Sequence, residues 1–149
     1  MHATTIFLAV LSLAAKAMGA PSNASVERRF EGGWCGVHVH LLKQWPPDLE
    51  FSVTVKVFDA KQSYVTQGDF KARVDSVMGG SIGGNGLPKD LVFTIYLRND
   101  SPVSFEYDNE QWESGKPRSE NDHCKVGKWK HIGFLSRKLK LDMDCGFTC

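Results

Sequence analysis

Four cysteines constrain the fold of this chain more than any other feature of its sequence. Cys35 comes early, and Cys124, Cys145 and Cys149 follow much later, close to the last position. An even number of cysteines in a small exported protein is typical of a disulfide framework, because the secretory route oxidises thiols and the cytosol does not. We therefore predict that all four cysteines form two disulfides and that each disulfide adds about 2–4 kcal/mol of stability.

The pairing of these cysteines is open at this level, because four cysteines permit three connectivities. Cys124 and Cys145 flank a predicted hairpin, so we favour a bridge between them, which leaves Cys35 for Cys149. The second bridge would tie the first strand of the domain to its last residue.

The segment before these cysteines has the pattern of an export signal. Ile6 to Ala15 form an apolar run, and Ala17 and Gly19 place small residues at the −3 and −1 positions of a cleavage site. The run is too short to span a bilayer as a helix. We predict a signal peptide over residues 1–19, secretion to the extracellular space and no transmembrane segment.

A second cleavage is expected at the end of the polar segment 20–29. Arg28 and Arg29 form a dibasic pair that suits a kexin-type protease, which makes 20–29 a candidate pro-segment; an ordinary polar tail is the alternative. The β-rich domain that remains, 30–149, has 149 − 29 = 120 residues. That length allows one domain with one core. We expect this domain to be a monomer.

Apolar residues in the domain recur with the period of β-strands rather than with that of helices. Apolar and polar residues alternate over 49–57. The same period of two recurs in four further segments, 34–42, 70–74, 103–107 and 139–145. About seven or eight short strands separated by turn residues predict a single all-β domain, either an antiparallel β-sandwich or a small β-barrel stapled by two disulfides.

Two segments carry more specific expectations. Residues 91–97 are apolar on both faces, which predicts a central strand covered on each side. The glycine-rich segment 78–88 is followed by a strand and not by the helix that a phosphate-binding loop needs. We therefore predict that it is a flexible connection between strands.

The charge of the chain is balanced overall, at +1, but not along its length. Residues 116–140 hold eight basic and two acidic residues, a net of +6, which suits an anionic polymer or a lipid head group; a solvated face is the alternative. Lys128, Trp129 and Lys130 are the candidate binding residues of this segment. No motif of a nucleic-acid-binding fold is present, and we predict no nucleic-acid partner.

His38 and His40 share one face of the first predicted strand with Trp34. Paired imidazoles at this spacing occur in metal sites on β-scaffolds, but His123, His131 or a carboxylate would have to converge on them. We take Trp34, His38 and His40 as candidate binding residues on an exposed strand face, and we predict no metal and no cofactor.

Enzymatic activity is the less favoured class. A small secreted hydrolase such as a ribonuclease would use His38 or His40 with Glu50 as general acid and base, which is chemically feasible. Ser81 lacks the context of a nucleophile elbow, and the cysteines are assigned to disulfides. We therefore predict a protein that binds without catalysing a reaction.

Asn99 begins an acceptor pattern for N-glycosylation, Asn-Asp-Ser. The pattern falls in a predicted turn, where a glycan fits. Pro102, directly after it, lowers the odds of its use.

The two ends of the domain resemble a known family. The segments concerned are 33–39 (GWCGVHV), 124–127 (CKVG) and 143–149 (MDCGFTC). They resemble small four-cysteine secreted proteins of filamentous fungi, including hypersensitive-response elicitors and virulence effectors of plant pathogens. The resemblance implies a β-rich domain that acts in the apoplast or inside the host cell and induces plant defence or cell death. It assigns no catalytic residue to this chain.

The partner that this resemblance implies is a plant host protein or a cell-wall polysaccharide. In the alternative interpretation the domain is a carbohydrate-binding or cell-wall-binding module. Trp34, Trp45, Trp112 or Trp129 would then be the platform on which sugar rings stack.

Overall fold

The computed structural model describes residues 32–45, 50–84, 86–98, 101–133 and 136–149. Within these ranges the chain forms ten β-strands and no helix. The strands are β1 Trp34–Gln44, β2 Glu50–Phe58, β3 Tyr64–Arg73, β4 Val77–Ile82, β5 Leu91–Tyr96, β6 Val103–Tyr107, β7 Glu110–Glu113, β8 Cys124–Val126, β9 Lys130–His131 and β10 Lys138–Thr148. None of the described residues belongs to a helix that could cross a lipid bilayer.

Three expectations fall outside the described residues. They are the signal peptide over 1–19, the candidate pro-segment 20–29 with Arg28 and Arg29, and the glycosylation candidate Asn99. All three stay predictions from the sequence.

The strands form two antiparallel sheets. The larger sheet has the order β3-β2-β1-β10-β8, with β9 also paired to β10, and the smaller sheet has the order β4-β5-β6-β7. Their apolar faces share one core cluster, which is the arrangement of a β-sandwich. The prediction of an all-β antiparallel domain is confirmed, with more strands than expected.

Alternation along β1 decides which of its side chains enter the core. Val37, Val39 and Leu41 are at most 3% exposed, whereas the even-numbered residues between them lie on the outer face. The two sheets meet through contacts such as Phe70 on Phe93, whose ring centroids lie 4.8 Å apart. Because a pleated strand points successive side chains to opposite faces, a buried face leaves a complete outer face for polar residues.

The expected connection over 78–88 is wrong for its first five residues, 78–82, because Val77–Ile82 is strand β4 and pairs with β5. Glycine is needed here for packing. A Cβ at Gly80 would lie 2.5 Å from the Phe70 ring and 2.6 Å from the Phe93 ring. Gly80 therefore lets β4 approach the aromatic core closely.

The expectation that 91–97 is covered on both faces is also wrong. Strand β5 is central within its sheet, and Leu91, Phe93 and Ile95 are buried. On its other face, however, Val92 and Tyr96 are 39% and 59% exposed. The apolar outer residues of β5 therefore face solvent.

Two disulfides fasten one end of the larger sheet, and the favoured pairing is confirmed as Cys35–Cys149 and Cys124–Cys145. Cys124 lies directly opposite Cys145 in the pairing of β8 with β10. Gly33 and Cys149 exchange both backbone hydrogen bonds, at 3.0 and 2.9 Å, so the pairing of β1 with β10 continues to the last residue. Two disulfides are compatible with an extracellular protein.

Candidate functional site

An open groove of about 580 Å³ lies on the outer face of the larger sheet, beside both disulfides. Strands β1 and β10 form its floor, the turn after β2 forms one wall, and the segment that leads into β8 forms the other. The side chains that line it include Trp34, His38, Gln62, His123, Lys125 and Asp144. We name it the Trp34 groove.

The register of β1 with β10 brings histidines and aspartates together on this face. His38 lies opposite Asp144, and His40 lies opposite Asp142. All four occupy even positions, which the pleat points away from the core. Residues directly opposite each other in an antiparallel pair have Cβ atoms about 4.5–5.5 Å apart, so an imidazole reaches the facing carboxylate.

Each histidine is hydrogen-bonded to the aspartate opposite it. Nδ1 of His38 donates to Oδ1 of Asp144 at 2.7 Å, and Nδ1 of His40 donates to Oδ1 of Asp142 at 2.5 Å. An ionised carboxylate only accepts, so the proton of each bond belongs to the imidazole. Nε2 of His38 also lies 3.9 Å from Oδ1 of Asp142. The four side chains form one connected row, which we name the His–Asp row.

The pKa of Asp142 is lower than that of an ordinary aspartate. Partial burial by itself would raise this pKa, but the hydrogen bond from His40 and the charges of His40, Lys140 and His38 outweigh the burial. Lys140 contributes from the neighbouring even position, with Nζ 3.7 Å from Oδ2 of Asp142. Asp142 is therefore ionised at neutral pH and anchors the His–Asp row.

Trp34 is the exposed aromatic residue of the groove. It is 53% exposed, although it begins a strand of the larger sheet. Its indole lies directly on the backbone of β10, because a Cβ at Gly146 would be 2.5 and 2.7 Å from two carbons of the ring. Because glycine has no side chain, the indole can lie directly on the backbone at this position.

His123 connects this indole to the aromatic core. Its ring centroid lies 5.8 Å from that of Trp34 and 5.5 Å from that of Trp112, on which it stacks at an angle of 18°. Nδ1 of His123 donates to the carbonyl oxygen of Gly146 at 3.1 Å. Trp112 stacks in turn on the buried Phe147, at 5.6 Å. A column of rings thus supports the Trp34 groove from below.

Two hydrogen-bonded turns hold the walls of the groove. Oδ1 of Asp59 accepts two backbone N–H bonds, at 2.9 and 2.8 Å, within the turn that presents Gln62. Oδ1 of Asn121 accepts the backbone N–H of His123 at 3.0 Å, and its Nδ2 donates to the carbonyl oxygen of Glu113 at 3.0 Å. These bonds hold both walls at fixed positions relative to the sheet.

The groove carries more acidic than basic side chains. Glu120, Asp122 and Asp144 line it with Lys125, which gives 1 − 3 = −2 when the imidazoles are neutral. Nζ of Lys125 lies 4.0 Å from Oε1 of Glu120, so part of this charge is compensated within the groove. The groove is therefore negative even though it uses part of the basic segment 116–140, and this sign disfavours an anionic ligand.

The basic candidates Lys128, Trp129 and Lys130 do not line the groove. Lys128 and Lys130 are exposed, whereas Trp129 packs against the core with its ring centroid 6.2 Å from that of Phe51. Trp112 is only 7% exposed, so it belongs to the core as well. An exposed sugar platform is therefore limited to Trp34 and Trp45 among the four candidates.

Of the two histidines on β1, only His38 lines the groove. His38 lines it, and His40 lies one pair further along the His–Asp row. The pairing of either histidine with Glu50 is wrong, because Glu50 lies opposite Gln44. Gln44 is six residues along β1 from His38 and four from His40, which is about 20 Å and about 13 Å at the rise of a strand. Within the described part of the chain, no three His, Cys, Asp or Glu residues are grouped to hold a metal ion.

Sequence reasoning misses Gln62, Lys125 and Asp144 as groove residues. Gln62 and Lys125 come from separate segments that only the order of the strands brings to one place. A signal did exist for Asp144. If Cys35 is bridged to Cys149, the first and last strands become neighbours, and alternation in both strands then places His38 beside Asp144.

Comparison of this chain with protein-family models, with curated proteins and with solved structures finds no match. The resemblance of its two ends to fungal elicitors and effectors therefore stays a prediction from the sequence. The evidence that bears on function is the geometry of the Trp34 groove.

Proposed function

We propose that this chain is a secreted fungal protein of the effector or elicitor type, which acts by binding a plant host or cell-wall component through the Trp34 groove. The observation that carries the proposal is the indole of Trp34, which is 53% exposed and seated on Gly146 inside a groove of about 580 Å³. Ligand sites of about 300–1,000 Å³ are typical of proteins, and tryptophan is enriched among the residues that dominate binding energy.

The rigidity of the groove supports binding. The Cys124–Cys145 bridge ties β8, which follows one wall, to β10 in the floor. The Cys35–Cys149 bridge ties the end of β10 to β1, and His123 is hydrogen-bonded to Gly146. A site that is already ordered loses little conformational entropy when it takes up a ligand. The same two disulfides suit a protein that works in the oxidising space outside the cell.

The proposal assigns binding rather than chemistry to the groove. Both ring nitrogens of His38 face carboxylates, at 2.7 Å for Asp144 and 3.9 Å for Asp142. The hydrogen bond to Asp144 fixes the orientation of the imidazole. Its role in the proposal is to fix the polar wall beside Trp34.

Infiltration of the purified protein into host leaves tests this function. We expect the wild-type chain to induce a defence response or cell death and Trp34→Ala to lose most of that response. Trp45→Ala is the matched control, because Trp45 is 38% exposed, follows the opposite end of β1 and does not line the groove. This control should respond like the wild type.

Two results would count against the proposal. One is the absence of any leaf response to the wild-type protein together with unchanged virulence of a fungal strain that lacks the gene. The other is a full response to Trp34→Ala in protein that remains folded, which would remove the groove from the contact surface.

A further inference from the structure

The Trp34 groove combines an apolar platform with hydrogen-bonding walls. Because the indole rests on the backbone at Gly146, its exposed side is a flat aromatic surface that cannot withdraw into the protein. The face of an aromatic ring is electron-rich and attracts the weakly positive C–H groups of a neighbouring molecule. A pyranose ring presents such C–H groups on one face and hydroxyl groups around its edge.

The walls offer partners for those hydroxyl groups. Gln62 belongs to one wall, Asp122 belongs to the other wall, Asp144 projects from the floor, and Lys125 adds a donor. A hydroxyl group both donates and accepts, so it can pair with carboxylate, amide and ammonium groups alike. Mixed donors and acceptors around one aromatic ring therefore match a polyhydroxylated ligand.

The charge of the groove narrows the class of glycan. Three carboxylates against one ammonium repel a polyuronate, whose own carboxylates would approach the same surface. Two of the three carboxylates already have partners in the groove: Asp144 accepts from His38 at 2.7 Å, and Glu120 lies 4.0 Å from Lys125. The groove keeps its net negative charge, but these two carboxylates are already occupied. A cationic chain would therefore find a single new partner, Asp122, and would gain little from its other charges, so a neutral chain is the better match.

We infer that the Trp34 groove binds a neutral polysaccharide chain, with one pyranose ring stacked on the Trp34 indole and its hydroxyl groups bonded to the walls. The inference rests on the proposed function, since it names the chemical class of partner for the same groove. The open form of the groove suits a polymer that continues beyond the stacked ring.

Titration calorimetry with soluble hexasaccharides tests the inference. The neutral probes are cellohexaose, laminarihexaose, xylohexaose and mannohexaose, and the charged probes are oligogalacturonate and chitosan hexamers. We expect binding to at least one neutral probe that exceeds binding to either charged probe. Trp34→Ala should weaken this binding about 30-fold or more, the effect of losing a tryptophan that dominates an interface. Trp45→Ala should change it less than about two-fold.

A second variant displaces the indole without removing it. Gly146→Ala puts a methyl group where the ring lies and should weaken neutral binding by a similar factor. Gly79→Ala is its matched control, because Gly79 is a strand glycine of the other sheet whose added Cβ meets its nearest atom at 3.5 Å, an ordinary contact. This control should bind like the wild type.

The inference is overturned by preferred binding of a charged probe, by no binding of any neutral probe, or by neutral binding that Trp34→Ala leaves unchanged. The leaf assay separates these failures from failure of the proposed function. If no neutral probe binds but Trp34→Ala still loses the leaf response, the groove is the contact surface and only the class of ligand is wrong. If Trp34→Ala keeps a full leaf response, the proposed function fails first.

Discussion

The two disulfides should contribute unequally to stability, and the structure sets the ratio. Cys35–Cys149 spans 114 positions, whereas Cys124–Cys145 spans 21. In the chain-entropy account, closing loops of these sizes in the unfolded state stabilises the fold by about 4.8 and about 3.3 kcal/mol respectively. The difference is about 1.5 kcal/mol, since it depends only on the logarithm of the ratio of loop sizes.

The perturbation consists of two paired substitutions, Cys35→Ala with Cys149→Ala and Cys124→Ala with Cys145→Ala. Alanine is preferred to serine because Cys35, Cys124 and Cys145 are at most 5% exposed, and a hydroxyl group there would be buried without a partner. Each pair removes one disulfide, so the comparison isolates the effect of loop size. A domain of this size has a typical total stability of about 5–15 kcal/mol, so the loss of either bridge is a large fraction of it.

Urea unfolding followed by tryptophan fluorescence, with linear extrapolation to water, measures both losses. Far-UV circular dichroism checks that each variant keeps its β-structure before unfolding. We expect the variant without Cys35–Cys149 to be the less stable of the two by about 1.5 kcal/mol. Equal stabilities, or a larger loss from removing Cys124–Cys145, would refute the entropic reasoning. Four reactive thiols in denatured, unreduced wild-type protein would refute the disulfides themselves.

Three further substitutions test individual contacts. Gly146→Ala should change the free energy of unfolding by less than about 1 kcal/mol, because the reduced entropy of the unfolded chain offsets the lost indole contact. A larger loss in urea unfolding would contradict this and show that the contact between the indole and Gly146 stabilises the fold. Phe147→Ala should cost about 3–5 kcal/mol in the same assay, since Phe147 is fully buried between Tyr107 and Trp112. Because the pKa of folded Asp142 lies below its ordinary value of 3.8, its contribution to stability is complete above that pH and is lost as the pH falls through the folded pKa. Asp142→Asn should therefore lower stability near neutral pH and flatten its decline as the pH falls below 3.8. An unchanged decline in urea midpoints would contradict this.

Which side chains of a strand are buried was predictable from the sequence, because the apolar residues of an alternating segment all lie on one face. In β1, for example, the apolar positions from Cys35 to Leu41 enter the core, and Trp34, His38 and His40 lie outside as expected. The favoured cysteine pairing was also correct, because a hairpin places its two ends at neighbouring positions. Local pattern therefore decides orientation within a strand.

The features that depend on distant strands were not predictable in this way. Gly80 has no strand-like propensity, and its place in β4 depends on the rings of Phe70 and Phe93, which come from two other strands. The Trp34 groove likewise needs the order of strands in the sheet, since Gln62 and His123 reach it from turns that lie far apart in the sequence. Alternation in the sequence identifies the residues that face outward, but it does not determine which of them lie next to each other in the folded sheet.

The central claim is that this protein meets its partner at the Trp34 groove. Nuclear magnetic resonance spectra of labelled protein test it directly, because Trp34, Trp45, Trp112 and Trp129 each give an indole N–H signal that substitution assigns. Titration with the neutral hexasaccharides should shift the Trp34 signal and the backbone signals of neighbouring groove residues, and leave the Trp45 signal in place. Shifts confined to Trp45, or to the outer face of the smaller sheet, would contradict the account.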